Sequence, residues 1–583
     1  MAYSIRVDTS VPMEMRDGIR LRADIYRPDD NEKHPAILTR TPYVRQGAFD
    51  FNSAYLPYWD AMAAGYAIVI QNLRGCFDSA GQSGLGDVAL TGEGHDGYDS
   101  VEWIAAQPWC DSNVGTCGGS YMGLLQWITA RENPPHLKAI APWVSGSGGE
   151  EPSRHNGIVN LGVALNWLLN MTVEALNREE KQGKDVKAAR KTLLQAVANP
   201  ELVYEYLPLK DVPYFNFPGI RDMWANRVLK SDRDTPEFFE KTKTPYEKVM
   251  VPCMHVAGWY DFYPSGTLGH FNAMREKGGS KLARDNQHIV MGPWIHPGPS
   301  ASGDTGALGF GMLASKLGSQ MGEHSVAYFD KYLRGKKVEV PPVRYFTMGR
   351  NVWQTADTWP PHGVKFQRYF LHSGGRANSI AFDGLLSRDE PGAEFVDNFV
   401  YNPNFPVLTN GCRGHLQLVR FTPGPQDQAS TEKRDDVLCY TTPELKEDIE
   451  LTGPLLLHLF ASSSARDTDF TAKLVDVYPD GRAYNVVCDG ITRARYQKSL
   501  FEPKFLSPSE INEYVINMEA VSQLFRKGHR IRIDIASSSF PEYDRNMNTG
   551  NSVGEDTAGV TALQTVYHQK EYASYIDLPV LGK

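Results

Sequence analysis

Apolar residues recur through the first 140 positions in short runs, separated by polar stretches compatible with helices and turns. Residues 11–28 alternate, with Ile19, Leu21, Ala23 and Ile25 on one face and Asp17-Gly18 supplying a turn, so this segment reads as a β-hairpin. Continuous apolar runs at 36–38 and 67–70 suit strands buried on both faces. Residues 99–106 read as a helix with Asp99 or Ser100 as N-cap, 114–117 as a strand, 121–131 as a helix and 139–141 as a further strand. Strand-like runs return at 254–257 and 288–291. This alternation predicts an α/β architecture, a mainly parallel sheet with helices on both faces.

Two stretches break the rhythm. Residues 148–246 hold amphipathic segments such as 187–197 and no clear strands, so they read as a helical cap inserted into the α/β domain. From 353 onward strands dominate. Residues 455–460 and 530–535 are strand-like, the second strictly alternating, and Asp480-Gly481 and Asp489-Gly490 mark turns. The expected organisation is an α/β domain over 1–147 and 247–352, a helical cap over 148–246 and a C-terminal β-sandwich, a jelly roll, over 353–583.

With 583 residues the chain is too long for one hydrophobic core, which agrees with several domains. Net charge is −9 and no dense basic patch occurs, which argues against a nucleic-acid partner. The first residues lack a basic segment followed by an apolar one, so no signal peptide is expected. The most apolar helical stretch, 158–176, is interrupted by Asn160, Asn166, Asn170, Thr172 and Glu174, so no membrane association is expected. Seven cysteines, an odd number without any C-x-x-C pair, fit reduced thiols in the cytoplasm rather than disulfides or a zinc site. No metal or organic cofactor is implied, because the ligand spacings are missing.

A serine hydroxyl is a weak nucleophile at neutral pH and needs a base within reach and donors for the developing oxyanion. Three serines have a glycine pattern around them. Gly550-Asn551-Ser552-Val553-Gly554 is a literal G-x-S-x-G, but no strand leads into it; Ser83, within Gly81 to Gly86, shares that defect. Ser120, in Gly118-Gly119-Ser120-Tyr121-Met122-Gly123, follows a strand and opens an apolar helix, the context of a nucleophile elbow. Its second glycine falls three residues after the serine instead of two. Asp261 comes just past the strand ending at Ala257, and His296 past the one ending at Met291. The chain order Ser120, Asp261, His296 is that of an α/β-hydrolase triad, and strand C-terminal ends are where open α/β sheets place their sites. His255 and His288 lie in or beside strands and read as core residues. The backbone N–H of Tyr121 is one candidate oxyanion donor, and the hydroxyl of Tyr43, after the strand at 37–40, is a second.

Residues 13–28, Arg74-Gly75, Ser79, Gly81, the Ser120 segment, Gly258-Trp259-Tyr260-Asp261 and Gly292-Pro293-Trp294 with His296 together resemble the cocaine esterase branch of the X-prolyl dipeptidyl-peptidase family. Residues 467–474 and Ser537-Ser538-Ser539-Phe540-Pro541 are similar to that family's jelly roll, so the likeness spans nearly the whole chain. The resemblance implies an α/β-hydrolase domain, a helical cap, a jelly roll over the active site, Tyr43 as the oxyanion tyrosine and a homodimer as a common state. It also implies a small-molecule ester or a short peptide as substrate. The similar amino-acid ester hydrolases carry acids after the catalytic aspartate, where this chain has Phe262, Tyr263 and Pro264; Glu150 and Glu151 are the alternative partners for an amine, with a solvated surface pair as the favoured reading. Trp143, Phe262 and Tyr263 are candidates for an aromatic acyl pocket, with core packing as the competing reading. The leading expectation is a serine esterase. The alternatives are an X-Pro dipeptidyl-peptidase or amidase, acyl transfer on the same triad, and a binding module carrying an inactive hydrolase.

Overall fold

The computed structural model describes residues 4–82, 92–146, 154–217, 220–229, 235–378, 381, 383–413 and 421–582. Ten strands form the first sheet: β1 (Ile5–Glu14), β2 (Arg20–Pro28), β3 (His34–Thr41), β4 (Ala67–Asn72), β5 (Cys110–Gly119), β6 (Leu137–Trp143), β7 (Cys253–Gly258), β8 (Gln287–Gly292), β9 (Val343–Thr347) and β10 (Val352–Ala356). Their order is β1-β2-β4-β3-β5-β6-β7-β8-β9-β10. The stretch from β4 to β9 is parallel throughout. The hairpin β1–β2 closes one edge antiparallel and β10 the other.

Every residue of β3, β4, β7 and β8 is buried. Alternate side chains explain why. Ile37, Ile68 and Ile70 pack with the helices Arg45–Asn52, Tyr58–Ala63 and Met321–Leu333 on one face. Ala36, Leu38, Ala67 and Val69 pack with Glu93–Ala105, Tyr121–Ala130 and Pro264–Lys277 on the other. A parallel strand covered on both faces must be apolar at successive positions, which is the continuous pattern of the sequence.

The helix expected over 99–106 begins at Glu93, six residues earlier. Gly94 and Gly97, poor helix formers, hide its first turns from propensity. They stand where a Cβ would meet the side chains of Glu132 and Thr129, so they let this helix lie close against Tyr121–Ala130. Its first-turn acids are anchored: Glu93 pairs with buried Arg40 at 2.8 Å and Asp96 with Arg74 at 2.6 Å.

The cap contains the helices Leu161–Lys181 and Lys187–Ala198 and, against the expectation of no strands, a two-residue ribbon of Arg154–His155 with Ile158–Val159. Asn160 caps the long helix through the Val163 N–H. The C-terminal residues form an eleven-stranded, mainly antiparallel sheet folded as a β-sandwich, as expected. Leu455, Leu457 and Leu459 point into its core while Leu456 is 41% exposed, so this strand alternates. The same core continues through Trp259, Tyr260, Met291 and Phe346, which seats the sandwich against the C-terminal half of the parallel sheet. Among the described residues no helix is long and apolar enough to cross a membrane.

His255 and His288 are core residues. His255 bonds Gln287, and His288 contacts the Pro341 carbonyl and the Tyr332 hydroxyl. Burial lowers their pKa values, His255 to about 3 and His288 to about 4. Both stay neutral in the fold, whereas the unfolded chain takes up their protons below about pH 6.5, so each removes stability as pH falls through that window. Replacing His255 by glutamine is expected to lower the slope of stability against pH between 6 and 4.5 by about 1.4 kcal/mol per unit. Calorimetric proton uptake on unfolding measures this, and equal uptake by both proteins would contradict it.

Candidate active site

Ser120 joins β5 to the helix Tyr121–Ala130 with φ 59° and ψ −127°. A non-glycine residue there costs on the order of 1–3 kcal/mol and persists only when its surroundings fix it. The surroundings are dense. The Ser120 N–H donates to the Trp143 carbonyl at 2.9 Å, and the Gly119 N–H to Asn52 Oδ1 at 3.1 Å. Gln126 Nε2 donates to the carbonyls of Gly118 and Ala141, while its Oε1 accepts from Thr116 Oγ1 and the Ala141 N–H. One buried amide thereby ties the elbow to β6.

The spacing of small residues follows from what they face. A Cβ on Gly118 would lie 2.8 Å from Cβ of Met122, so the two sides of the elbow approach too closely for two side chains. With glycine before the serine, methionine is accommodated after it. Gly119 faces the Phe51 ring, at 2.6 Å from a hypothetical Cβ, and Gly123 faces Ser145. The unusual position of Gly123 therefore reflects the approach of the helix to the end of β6.

Asp261 follows β7 and His296 follows β8. The two loops are joined by the Trp259 N–H to the Gly292 carbonyl and the Tyr260 N–H to the Trp294 carbonyl. A Cβ on Gly258 would collide with the Trp294 carbonyl, so this approach requires glycine. His296 Nδ1 lies 2.8 Å from Asp261 Oδ1, both buried. Asp261 Oδ1 also accepts the Phe262 N–H at 2.7 Å. A carboxylate at Nδ1 keeps the proton there and leaves the lone pair on Nε2.

Two aromatic residues connect the elbow with this pair. Tyr55 stacks on Trp143, whose carbonyl holds Ser120, at 5.2 Å and 29°, and donates its O–H to the His296 carbonyl at 2.9 Å. Phe51, beside Gly119, has its ring centroid 6.1 Å from that of His296. Phe262 stacks on the imidazole at 4.2 Å and 27°, with Tyr263 at 6.0 Å.

Tyr43 follows β3, the strand that pairs with β5. Its carbonyl accepts from Asn72 Nδ2 at 2.7 Å, and Asn72 accepts from Arg45 at the same distance. Its hydroxyl accepts the indole N–H of Trp167 from the cap helix at 3.3 Å. Among the described residues nothing accepts the tyrosine's own proton. Burial pushes the Tyr43 pKa up to about 12, so it stays a neutral donor. The Trp167 ring also stacks on Tyr121 at 6.2 Å and 19°.

The structure thus gathers Tyr43, Ser120, Tyr121, Trp143, Asp261, Phe262, Tyr263 and His296 around one set of strand ends. Trp143 is fully buried in the core under Tyr55, with its indole N–H unpaired among the described residues. Ser552 lies in an irregular loop of the sandwich with no strand before it, and the Gly554 that follows abuts cap residues Leu209 and Leu229. Ser83, Glu150 and Glu151 lie outside the described residues. Sequence reasoning missed Phe51, Asn52, Tyr55, Gln126 and Trp167; all five act through contacts between distant segments or through the helix following the serine.

A mainly parallel sheet with a strained serine elbow and an Asp–His pair at its strand ends defines a serine hydrolase of the α/β class. The model of the X-Pro dipeptidyl-peptidase S15 family matches residues 17–298, and that of the X-Pro dipeptidyl-peptidase C-terminal non-catalytic domain matches 337–577. The chain is 35% identical to the cocaine esterase of Rhodococcus sp. (strain MB1 Bresler), over 100% of this chain and 99% of that relative. It belongs to the cocaine esterase-like (CocE/NonD) hydrolases of the S15 family. Two solved structures share its fold. An aminopeptidase from the marine sediment archaeon Thaumarchaeota archaeon has a TM-score of 0.80 at 24% identity, covering 100% of this chain and 97% of that one. An α-amino acid ester hydrolase has a TM-score of 0.79 at 23% identity, covering 99% and 96%.

Gln126→Leu leaves the Gly118 and Ala141 carbonyls and the Ala141 N–H without their partner, at about 1–3 kcal/mol for each buried group. The variant is expected to melt several degrees lower and to lose esterase activity at temperatures where it is still folded. Thermal melts paired with initial rates check this; a full-rate variant would show that the elbow holds without the amide.

Proposed function

We propose that this protein is a serine esterase that cleaves carboxylic esters through an acyl-enzyme. His296 Nε2 takes the Ser120 hydroxyl proton as Oγ attacks the ester carbonyl, and Asp261 holds the imidazole in that tautomer and balances its charge. The imidazolium then returns the proton to the departing alcohol. Water, deprotonated by the same nitrogen, releases the acid and restores Ser120. The Tyr43 hydroxyl and the Tyr121 N–H are the donors for the tetrahedral oxyanion. The observation that carries this reading is the 2.8 Å Asp261–His296 bond tied through Tyr55 to the strand end that anchors Ser120. The 35% identity to a cocaine esterase along the full chain supports it.

Phe262 on the imidazole, Tyr263 beside it and the Trp167–Tyr121 stack favour an apolar or aromatic acyl group. The family model's description favours one second reading, release of X-Pro dipeptides. A bound α-ammonium requires a carboxylate, and the three residues after Asp261 are Phe262, Tyr263 and Pro264. The six described free cysteines are all buried, which supports a cytoplasmic enzyme with reduced thiols.

A panel of p-nitrophenyl acetate, an aryl benzoate, an amino-acid ester and an Ala-Pro anilide separates the readings. The simple esters are expected to turn over, and Ser120→Ala to be silent on them. Cleavage of the anilide alone would favour the dipeptidase. Tyr43→Phe is expected to lower kcat by roughly 10²–10³ with little change in KM, the effect of one lost oxyanion donor. A kcat within twofold of wild type would remove Tyr43 from the mechanism.

A further inference from the structure

Glu519 lies in the sandwich strand Asn512–Phe525 at a β-bulge, where the register against Ile449–Ser463 shifts between Pro454 and Leu456. Its φ is +68°. Glycine costs least at such a bulge position, and a buried carboxylate carries a desolvation cost besides. The side chain present there makes two contacts. One oxygen pairs with buried Arg413 at 2.9 Å. The other accepts the backbone N–H of Ser265 at 2.9 Å, in the α/β domain.

Ser265 is the second residue of the helix Pro264–Lys277, four residues after Asp261. The preceding Tyr263 gives this helix no side-chain cap, and Pro264 has no N–H, so the Ser265 N–H is the first donor needing a partner. A carboxylate there also meets the positive end of the helix dipole. Burial pushes the Glu519 carboxyl up, but Arg413, His155 and the Ser265 N–H outweigh it and hold it below its usual range, so it is an anion. The Arg413 N–H in turn donates to Glu542 at 3.1 Å, and the Glu542 carbonyl accepts the cap's Gly162 N–H at 3.0 Å.

We propose that Glu519 is a positioning residue for the hydrolysis: from the sandwich it caps the helix that starts three residues after Asp261 and so fixes the loop from which Asp261 meets His296. The proposal rests on the reading of Asp261 as the orienting acid. It gives the C-terminal domain a part in catalysis, and the bulge is where its side chain reaches Ser265.

Glu519→Gly removes the carboxylate while favouring the backbone, so strain and function separate. With p-nitrophenyl acetate the variant is expected to lose at least tenfold in kcat with KM within twofold. The acid limb of its kcat/KM profile is expected to shift by half a unit or more, because the loop that carries Asp261 is no longer fixed. Glu432→Gln breaks the equally buried Arg532–Glu432 pair of the same sandwich, whose side chains bond neither the helix Pro264–Lys277 nor the loop before it, and is expected to lower the melting temperature while leaving the profile in place. If Glu519→Gly alone does not fold, Arg413→Met/Glu519→Gly removes the unpaired cation and carries the same expectation. Wild-type kcat and profile in the folded variant overturn the proposal. Asp261→Asn, measured alongside, separates the two levels: an impaired D261N with a normal E519G overturns the positioning role alone, and a normal D261N overturns the reading beneath it.

Discussion

The backbone of Ser120, held at φ 59° where a serine is strained, is the constraint on which the rest of this structure depends. A relaxed helix would turn the hydroxyl into its first turn; the strained elbow lifts it clear at the end of a buried sheet. Holding that geometry takes glycine at 118, where β5 and the following helix crowd together, and a filled set of hydrogen bonds from Asn52, Gln126 and the Trp143 carbonyl. None of these groups touches a substrate in the proposed reaction. Each removes a way for the elbow to relax.

The second feature is that the parts of the site are shared among segments far apart in the chain. Tyr55 belongs to an early loop, yet it stacks on the anchor of Ser120 and bonds the His296 backbone. Trp167 comes from the cap and donates to Tyr43. Glu519 comes from the sandwich and bonds the helix after Asp261. The three regions therefore meet through directional, partly buried polar contacts, which are costly to leave unmade. Such contacts fix relative position more sharply than apolar packing, whose energy changes little with small sliding movements.

Much of this was legible in the sequence where the signal is local. Buried parallel strands write continuous apolar runs, so 36–38, 67–70 and 288–291 mark their strands. Ser120, Asp261 and His296 each follow a strand, and they were proposed from those strand ends, the glycines around the serine and the order of the three in the chain. The start of the helix at Glu93 was hidden because Gly94 and Gly97 serve close packing instead of propensity. The ribbon at Arg154 to Val159 is too short to write a period. Phe51, Asn52 and Tyr55 read as an ordinary aromatic stretch, since their partners lie up to 241 residues away. Glu519 carries no sequence mark, because a left-handed residue at a bulge is announced only when it is glycine.

The central claim is that Ser120 is the nucleophile. Labelling the intact protein with an aryl phosphonate, followed by peptide mass mapping, tests it most directly. The account predicts one adduct per chain, on the peptide containing Ser120, with loss of esterase activity in step with labelling. An adduct on Ser552, or full inactivation with Ser120 unmodified, would contradict it.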